Sequence, residues 1–173
     1  TMIKTLLGLI GVTSGDGKVL GFNIRTEGEH IRSKIGYLPE YECLNPGLEA
    51  IHQVAFSGEL IGMNPTSAMQ RAHEVLEYVG LRDQRYRKIE TFSTGMVQAT
   101  KLACSIIHDP ELLITDEPSN GLDTRAREFM LNTLQQINKC SEFETKWVVQ
   151  LYSNEDKLWK SAKIKAIRLE SNQ

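Results

Sequence analysis

Long apolar runs are missing. The longest, Leu6 to Val12, is interrupted by glycines and is far too short to cross a bilayer. No charged-then-apolar leader opens the chain, so any work at a membrane would fall to a partner that spans it. A basic excess is missing too. Twenty Lys and Arg stand against 22 Asp and Glu, for a net charge of −2. That balance leaves no electrostatic footprint for nucleic acid, and no nucleic-acid partner is expected. Cysteine is scarce: Cys43, Cys104 and Cys140 are widely spaced and form no CxxC pair. The four histidines, His30, His52, His73 and His108, show no ligand spacing. Neither a disulfide staple nor a zinc site is indicated, and the thiols read as reduced and cytosolic. Internal repeats and low-complexity linkers are also lacking.

What remains is an ordinary globular composition, 40% hydrophobic and 24% charged over 173 residues. That length builds one domain with a real core and is too short for two. Residues 2–10 carry apolar side chains at Met2, Ile3, Leu6, Leu7 and Ile10, which is helical spacing. Glycines then punctuate a short strand near Lys18 to Leu20. The run IGYLP at 35–39 reads as a buried strand stopped by Pro39. Residues 44–108 are helical in pattern and form an inserted block, too long for a simple crossover. Within it, 66–79 should be a helix capped by Thr66 or Ser67, with Gly80 just past its end. A further helix should run from Gly95 to His108 before Asp109-Pro110. LLIT at 112–115 is a second buried strand, and Asp123 should cap a helix from Thr124 to Asn138. That helix should bury Ala126, Phe129, Met130, Thr133, Leu134 and Ile137 on one face. WVVQLY at 147–152 and KIKAIRLE at 163–170 supply two more strands. Short buried strands alternating with helices predict an α/β fold around a largely parallel sheet.

Two blocks carry chemistry. In LLITDEPSNGLD (112–123) a buried strand ends in adjacent carboxylates, Asp116 and Glu117. Parallel strands present functional groups at their carboxyl ends. Asp116 there suits Mg²⁺ held through water, and Glu117 suits a base that polarises water towards a phosphoryl group. In FSTGM (92–96) a helix begins with a hydroxyl at Ser93 and a glycine at Gly95. Free N–H groups at a helix start, with backbone able to approach closely, make a phosphate-facing device. Each block alone has an ordinary structural counterpart. A solvated strand end and a plain N-cap are the ordinary readings.

Together, in this order, the blocks resemble the ATP-binding cassette (ABC) ATPase family. FSTGMVQ is similar to its signature motif, commonly LSGGQ. LLITDE resembles its Walker B strand, SNGLD its D-loop, and IGYLPE (35–40) the strand leading into its Q-loop. GVTSGDGKVLGFNI (11–24) looks like the segment between the Walker A helix and the Q-loop. The STGM and YLPE forms are similar to the branch that drives ABC-2 type exporters.

The resemblance implies a P-loop NTPase-like sheet with the helical subdomain 44–108 inserted, and one partial cassette over residues 1–173. It implies ATP and Mg²⁺ as ligands. Glu117 would be the catalytic base and Asp116 the Mg²⁺ residue, with Glu40 a second metal contact. Ser93, Thr94, Gly95, Glu40, Asp123 and Thr1 would contact nucleotide. Two such domains would pair head to tail, each closing its signature over the other's ATP. A permease would meet the helical block at the cytoplasmic face of the membrane.

The chain departs from the family pattern in four places. The Walker A loop GxxxxGK[ST] is absent, so Thr1 should directly follow it, and the Walker A strand and loop should lie upstream. Glu40 stands where Gln is usual. The switch histidine position falls on Ser153 or Tyr152. Thr115 replaces an apolar residue before Asp116. Alone, the 173-residue chain is expected to bind ATP very weakly. The alternative is a non-hydrolysing, ABC-like partner that lends its signature in trans. A third reading, a soluble ABC-type ATPase of repair or translation, lacks the long coiled coils or second cassette it would need. His108 reads as a helix-terminal charge partner and Lys101 as an outward, solvated charge. Arg82, Arg85, Arg87 and Lys88 read as a solvated basic loop.

Overall fold

The computed structural model describes residues 2–11, 14–137, 147–151 and 165–168, the last two segments by their backbone alone. Its centre is a four-stranded sheet in the order β3 (Ile35–Leu38), β4 (Leu112–Asp116), β5 (Trp147–Leu151) and β6 (Lys165–Arg168). β3, β4 and β5 are parallel, and β6 closes the edge antiparallel to β5. The largely parallel expectation therefore holds, with one reversed edge strand. The predicted strand near Lys18 is half of a small hairpin, β1 (Lys18–Val19) and β2 (Phe22–Asn23).

Side chains alternate across the sheet, as the pleat dictates. Leu38 and Leu113 face one cluster, and Ile35 and Ile114 the other. The second cluster is roofed by α1 (Met2–Leu6) and α2 (Gly28–Lys34) through Ile3 and Ile31, with Leu7 just past the end of α1. α1 ends earlier than the apolar spacing suggests. Gly8 takes φ +69, the chain turns, and Ile10 is exposed instead of continuing the buried stripe. An ion pair between Lys34 and Glu111 ties the end of α2 to the residue before β4.

The first cluster receives α3 (Ala50–Leu60), α4 (Pro65–Tyr78), α5 (Thr94–Ile106) and α6 (Thr124–Ile137). These helices share one core with Leu38 and Leu113. α4 begins one residue before the predicted cap. Asn64, not Thr66 or Ser67, accepts the Thr66 N–H at 3.0 Å, and Pro65 takes the first helical position. Gly80 leaves the helix at φ +80, as the C′ position asks. α6 keeps its Asp123 cap, whose carboxylate accepts from the Ala126 N–H at 2.8 Å. Met130, Thr133, Leu134 and Ile137 are buried, but Phe129 is half exposed, leaning over Gly80.

α5 is held hardest. Gly36 of β3 lets it lie so close that a Cβ there would sit 2.2 Å from the Ser105 carbonyl oxygen. Eight side chains between Gln98 and Ile106 are buried, on every side of the helix. His108, just past its end, is a mostly buried side chain and not the helix-terminal charge its position suggests. Its Nε2 lies 3.2 Å from the Ile35 carbonyl and its buried Nδ1 has no partner. Burial pushes its pKa down, the bond to Ile35 and the charge of Asp109 only partly opposing this. The unfolded chain thus takes the proton more readily, near the ordinary histidine value of about 6.5. The stability given by neutral His108 is complete above that value and is lost as pH falls through the lower folded one. The urea midpoint should therefore fall more between about pH 7.5 and 5.5 than in His108→Gln. Equal pH slopes for the two proteins would refute it.

The basic cluster is only partly solvated. Arg85 is mostly buried, pairing with Glu77 at 2.8 Å and donating to the His73 carbonyl at 3.0 Å. Arg82 and Lys88 stay exposed. Cys43 and Cys104 are free thiols, and burial pushes the Cys104 thiol up to about 12. Cys140, Ser153 and Tyr152 lie outside the described residues, as does most of the chain from Lys139 onwards.

Candidate functional site

The register of β3 on β4 builds the first cleft. Leu38 pairs with Thr115, so both strands end on the same edge of the sheet. Asp116 closes β4, and Glu40 follows β3 by two residues. Both carboxylates line a cleft of about 560 Å³ with Lys4, Tyr37, Glu42 and Asn120. Asn120 donates to Glu40 Oε1 at 3.1 Å, and the Tyr37 hydroxyl donates to Asp116 Oδ2 at 3.4 Å. Burial raises the pKa of Asp116, and the neighbouring charge of Glu40 raises it further, against the Tyr37 hydrogen bond. Burial, with the Asp116 charge, likewise holds the Tyr37 phenol well above its usual value. Crowded carboxylates of this kind are relieved by a cation.

Among the described residues no three His, Cys, Asp or Glu side chains form a metal cage. Two carboxylates with amide and hydroxyl oxygens nearby fit a different ion. Mg²⁺ takes oxygen donors, keeps several waters and completes its shell with phosphate. The donor set of this cleft is of that kind.

Glu117 adjoins Asp116 but stands in the left-handed region, at φ +46. A glutamate gains nothing locally from that conformation, which costs about 1–3 kcal/mol. It turns the chain sharply between the carboxylates. The turn continues with the Asn120 N–H donating to the Glu117 carbonyl at 3.0 Å. Thr115 is fully buried beneath this turn.

The signature residues line a second groove. Ser93, Gly95, Met96 and Asp123 border it, at about 310 Å³, with Arg125 and Phe129. Ser93 caps α5, its hydroxyl accepting from the Met96 N–H at 3.3 Å. Ser93 and Thr94 are exposed at the helix start. The α6 start lies alongside, since a Cβ on Gly95 would approach Ala126 Cβ to 3.3 Å. Two helix starts, capped by Ser93 and Asp123, thus meet at one groove. The structure brings Glu40 to Asp116, and Ser93 to Asp123. It does not put the two sets in one cleft. Thr1 lies outside the described residues.

Sequence reasoning misread Lys101 as an outward charge. It is 3% exposed, not solvated, and its ammonium donates to the Glu40 carbonyl at 3.1 Å. Burial lowers its pKa, while Cys43, Glu42 and Glu40 pull the other way. Helical periodicity could not reveal it, because α5 has no free face from which to judge an outward position. Lys4 and Tyr37 were also missed; their only signal is their place beside Asp116.

Comparison with known proteins shows the family and the fold. The family profile described as ABC transporter matches residues 1–120. The linearmycin resistance ATP-binding protein LnrL of Bacillus subtilis is 40% identical over 139 residues, covering 80% of this chain and 45% of that protein. The bacitracin transport ATP-binding protein BcrA of Bacillus licheniformis is 38% identical, with 80% and 44% covered. The daunorubicin/doxorubicin resistance ATP-binding protein DrrA of Streptomyces peucetius is 34% identical, with 73% and 38% covered. The chain spans less than half the length of these curated relatives. A dimeric ATP-binding cassette, MJ0796, solved with ADP and Pi, shares the fold at a TM-score of 0.70 and 20% identity. That likeness covers 86% of this chain and 74% of the solved one. With the family profile matched over most of its length, the chain belongs to the ABC transporter ATP-binding family.

Proposed function

We propose that the protein carrying this chain is the ATP-hydrolysing subunit of an ABC exporter, working through a permease at the cytoplasmic face of a membrane. No helix among the described residues is long and apolar enough to cross one. The observation that carries the reading is the division of the site into two clefts. One chain offers Asp116 and Glu40 in the first, and Ser93, Gly95 and Asp123 in the second. A head-to-tail pair would set each half against the other's complement. Resistance and transport names among the relatives support an exported antibiotic-like compound and the ABC-2 type branch.

In the first cleft Asp116, with Glu40, would hold Mg²⁺. The ion supplies charge neutralisation for the β- and γ-phosphates. Glu117 would accept the proton of the attacking water. Ser93, Thr94, Gly95 and the α5 N–H groups would receive the γ-phosphate of the partner's nucleotide, and Asp123 would steady the opposite site. The adjacent Asp116 and Glu117 support hydrolysis over a role that only lends a signature.

Ser93→Ala tests the reading in the complete encoded protein. Loss of one hydrogen bond to a charged group is worth about 1.5–3 kcal/mol, so turnover should fall about 10- to 100-fold. Loss of the cap alone costs about 1 kcal/mol of stability. Phosphate release and a urea midpoint separate the two effects. Full turnover with only the small stability loss would reduce Ser93 to a plain cap and sink the pairing.

A further inference from the structure

We infer that Lys101 is a positioning residue: from α5 it fixes the backbone of Glu40 and so sets that carboxylate in the metal cleft. The inference rests on the reading of Glu40 as a Mg²⁺ contact. Three observations carry it. First, α5 cannot slide on β3, because the Gly36 backbone packs directly against the Ser105 carbonyl. Lys101 lies one turn before Ser105, so its ammonium has a fixed origin. Second, that ammonium is buried and donates to the Glu40 carbonyl oxygen at 3.1 Å. Third, the other end of Glu40 is also held, its Oε1 accepting from Asn120 at 3.1 Å.

Glu40 is otherwise an exposed residue, in the exposed run Glu40–Cys43. Left to itself, such a segment would sample many conformations. Clamped at its carbonyl by the signature helix and at its carboxylate by the turn after β4, it has one. The ammonium does more than a neutral donor could. Glu40 and Glu42 share the loop, and a buried cation under it draws their backbone inwards. The same lysine joins the helix that presents Ser93 to the loop that presents Glu40. A shift of the signature helix would therefore move the metal side of the same chain.

The test uses the complete encoded protein, with Mg²⁺ and ATP as probes. Wild type, Lys101→Met, Glu40→Ala and the double variant are titrated with MgCl₂ at saturating ATP. Outer contacts to a ligating group are worth about 10- to 100-fold in metal affinity. Lys101→Met should raise the half-saturating Mg²⁺ about tenfold and leave the KM for ATP within about twofold. In the Glu40→Ala background it should change the Mg²⁺ dependence by less than about twofold, since nothing remains to position. An equal effect in both backgrounds, or a fall in kcat with Mg²⁺ dependence unchanged, overturns the inference.

Hydrogen exchange gives a second readout that needs no activity. The Asn45 amide, which ties down the end of this loop by donating to Gln53 Oε1 at 2.9 Å, should exchange about tenfold faster in Lys101→Met, while α5 stays protected. Loop exchange like wild type overturns the inference, and so does faster exchange throughout α5. Should the methionine variant not fold, Lys101→Gln keeps a polar group too short to reach the carbonyl and should show the same split. No Mg²⁺-dependent hydrolysis in the wild type would sink the proposed function instead, leaving hydrogen exchange to decide the role of Lys101.

Discussion

Glu117→Gln in the complete protein should cut ATP turnover by at least about a hundredfold, the scale of a lost general base. Nucleotide binding should persist. The amide has nearly the carboxylate's size and shape, and it can still orient a water, but it cannot take the water's proton. The backbone sharpens the expectation. Glu117 holds φ +46, a conformation that costs energy for any residue but glycine. Glutamine bears the same cost, so the folded state should be no less stable. Phosphate release under single turnover, beside equilibrium binding of a fluorescent ATP analogue, separates the two effects. Turnover within about threefold of wild type would remove Glu117 from the role of base and point to another group or to water alone.

Gly36→Ala should lower stability by roughly 3 kcal/mol, the upper end of overpacking costs. The added Cβ would stand 2.2 Å from the Ser105 carbonyl oxygen, 2.9 Å from Pro110 Cγ and 3.0 Å from Leu113 Cδ1. The last two neighbours could yield a little. The first is helix backbone, and moving it drags α5 with Leu102 and Ile106 out of the core. Gly47→Ala is the control. Its nearest contact is Asn45 Oδ1 at 3.5 Å, an ordinary approach, so its midpoint should stay near wild type. A Gly36→Ala loss below about 0.5 kcal/mol would mean that α5 shifts freely on the sheet. The fixed origin claimed for Lys101 would then fail with it.

Much of the candidate site's placement was legible because its residues sit at element ends, where sequence speaks plainly. Ser93 and Asp123 are hydroxyl and carboxylate at helix starts, and both cap as read. Asp116 ends a short apolar strand, and Pro39 stops the strand before Glu40. The misreadings lie where periodicity has nothing to report. α5 is buried all round, so its pattern could not tell that Lys101 points inwards. His108 looked like a terminal cation because a helix end favours charge, but burial against Ile35 outweighs that preference. The cap of α4 fell to Asn64 because Pro65, which lacks an N–H, suits the first helical position better than an interior one. Phe129 kept the spacing of a core residue and is still half exposed, lying over Gly80 at the border of the second groove. The sheet's reversed edge strand had no local signal, because strand direction is set by the connection and not by the residues.

A helix without a free face also has a history imposed on it. Most positions of α5 can change only when a neighbour changes with them, since coupling is strongest between residues in contact. Lineages that alter Leu102 should carry a matching change in the wall that receives it, and position 36 should stay glycine as long as α5 lies where it does. Ser93 and Thr94, exposed at the rim, stand outside that packing. The packing of the core therefore leaves the tip of the helix free to change while the shaft behind it stays frozen.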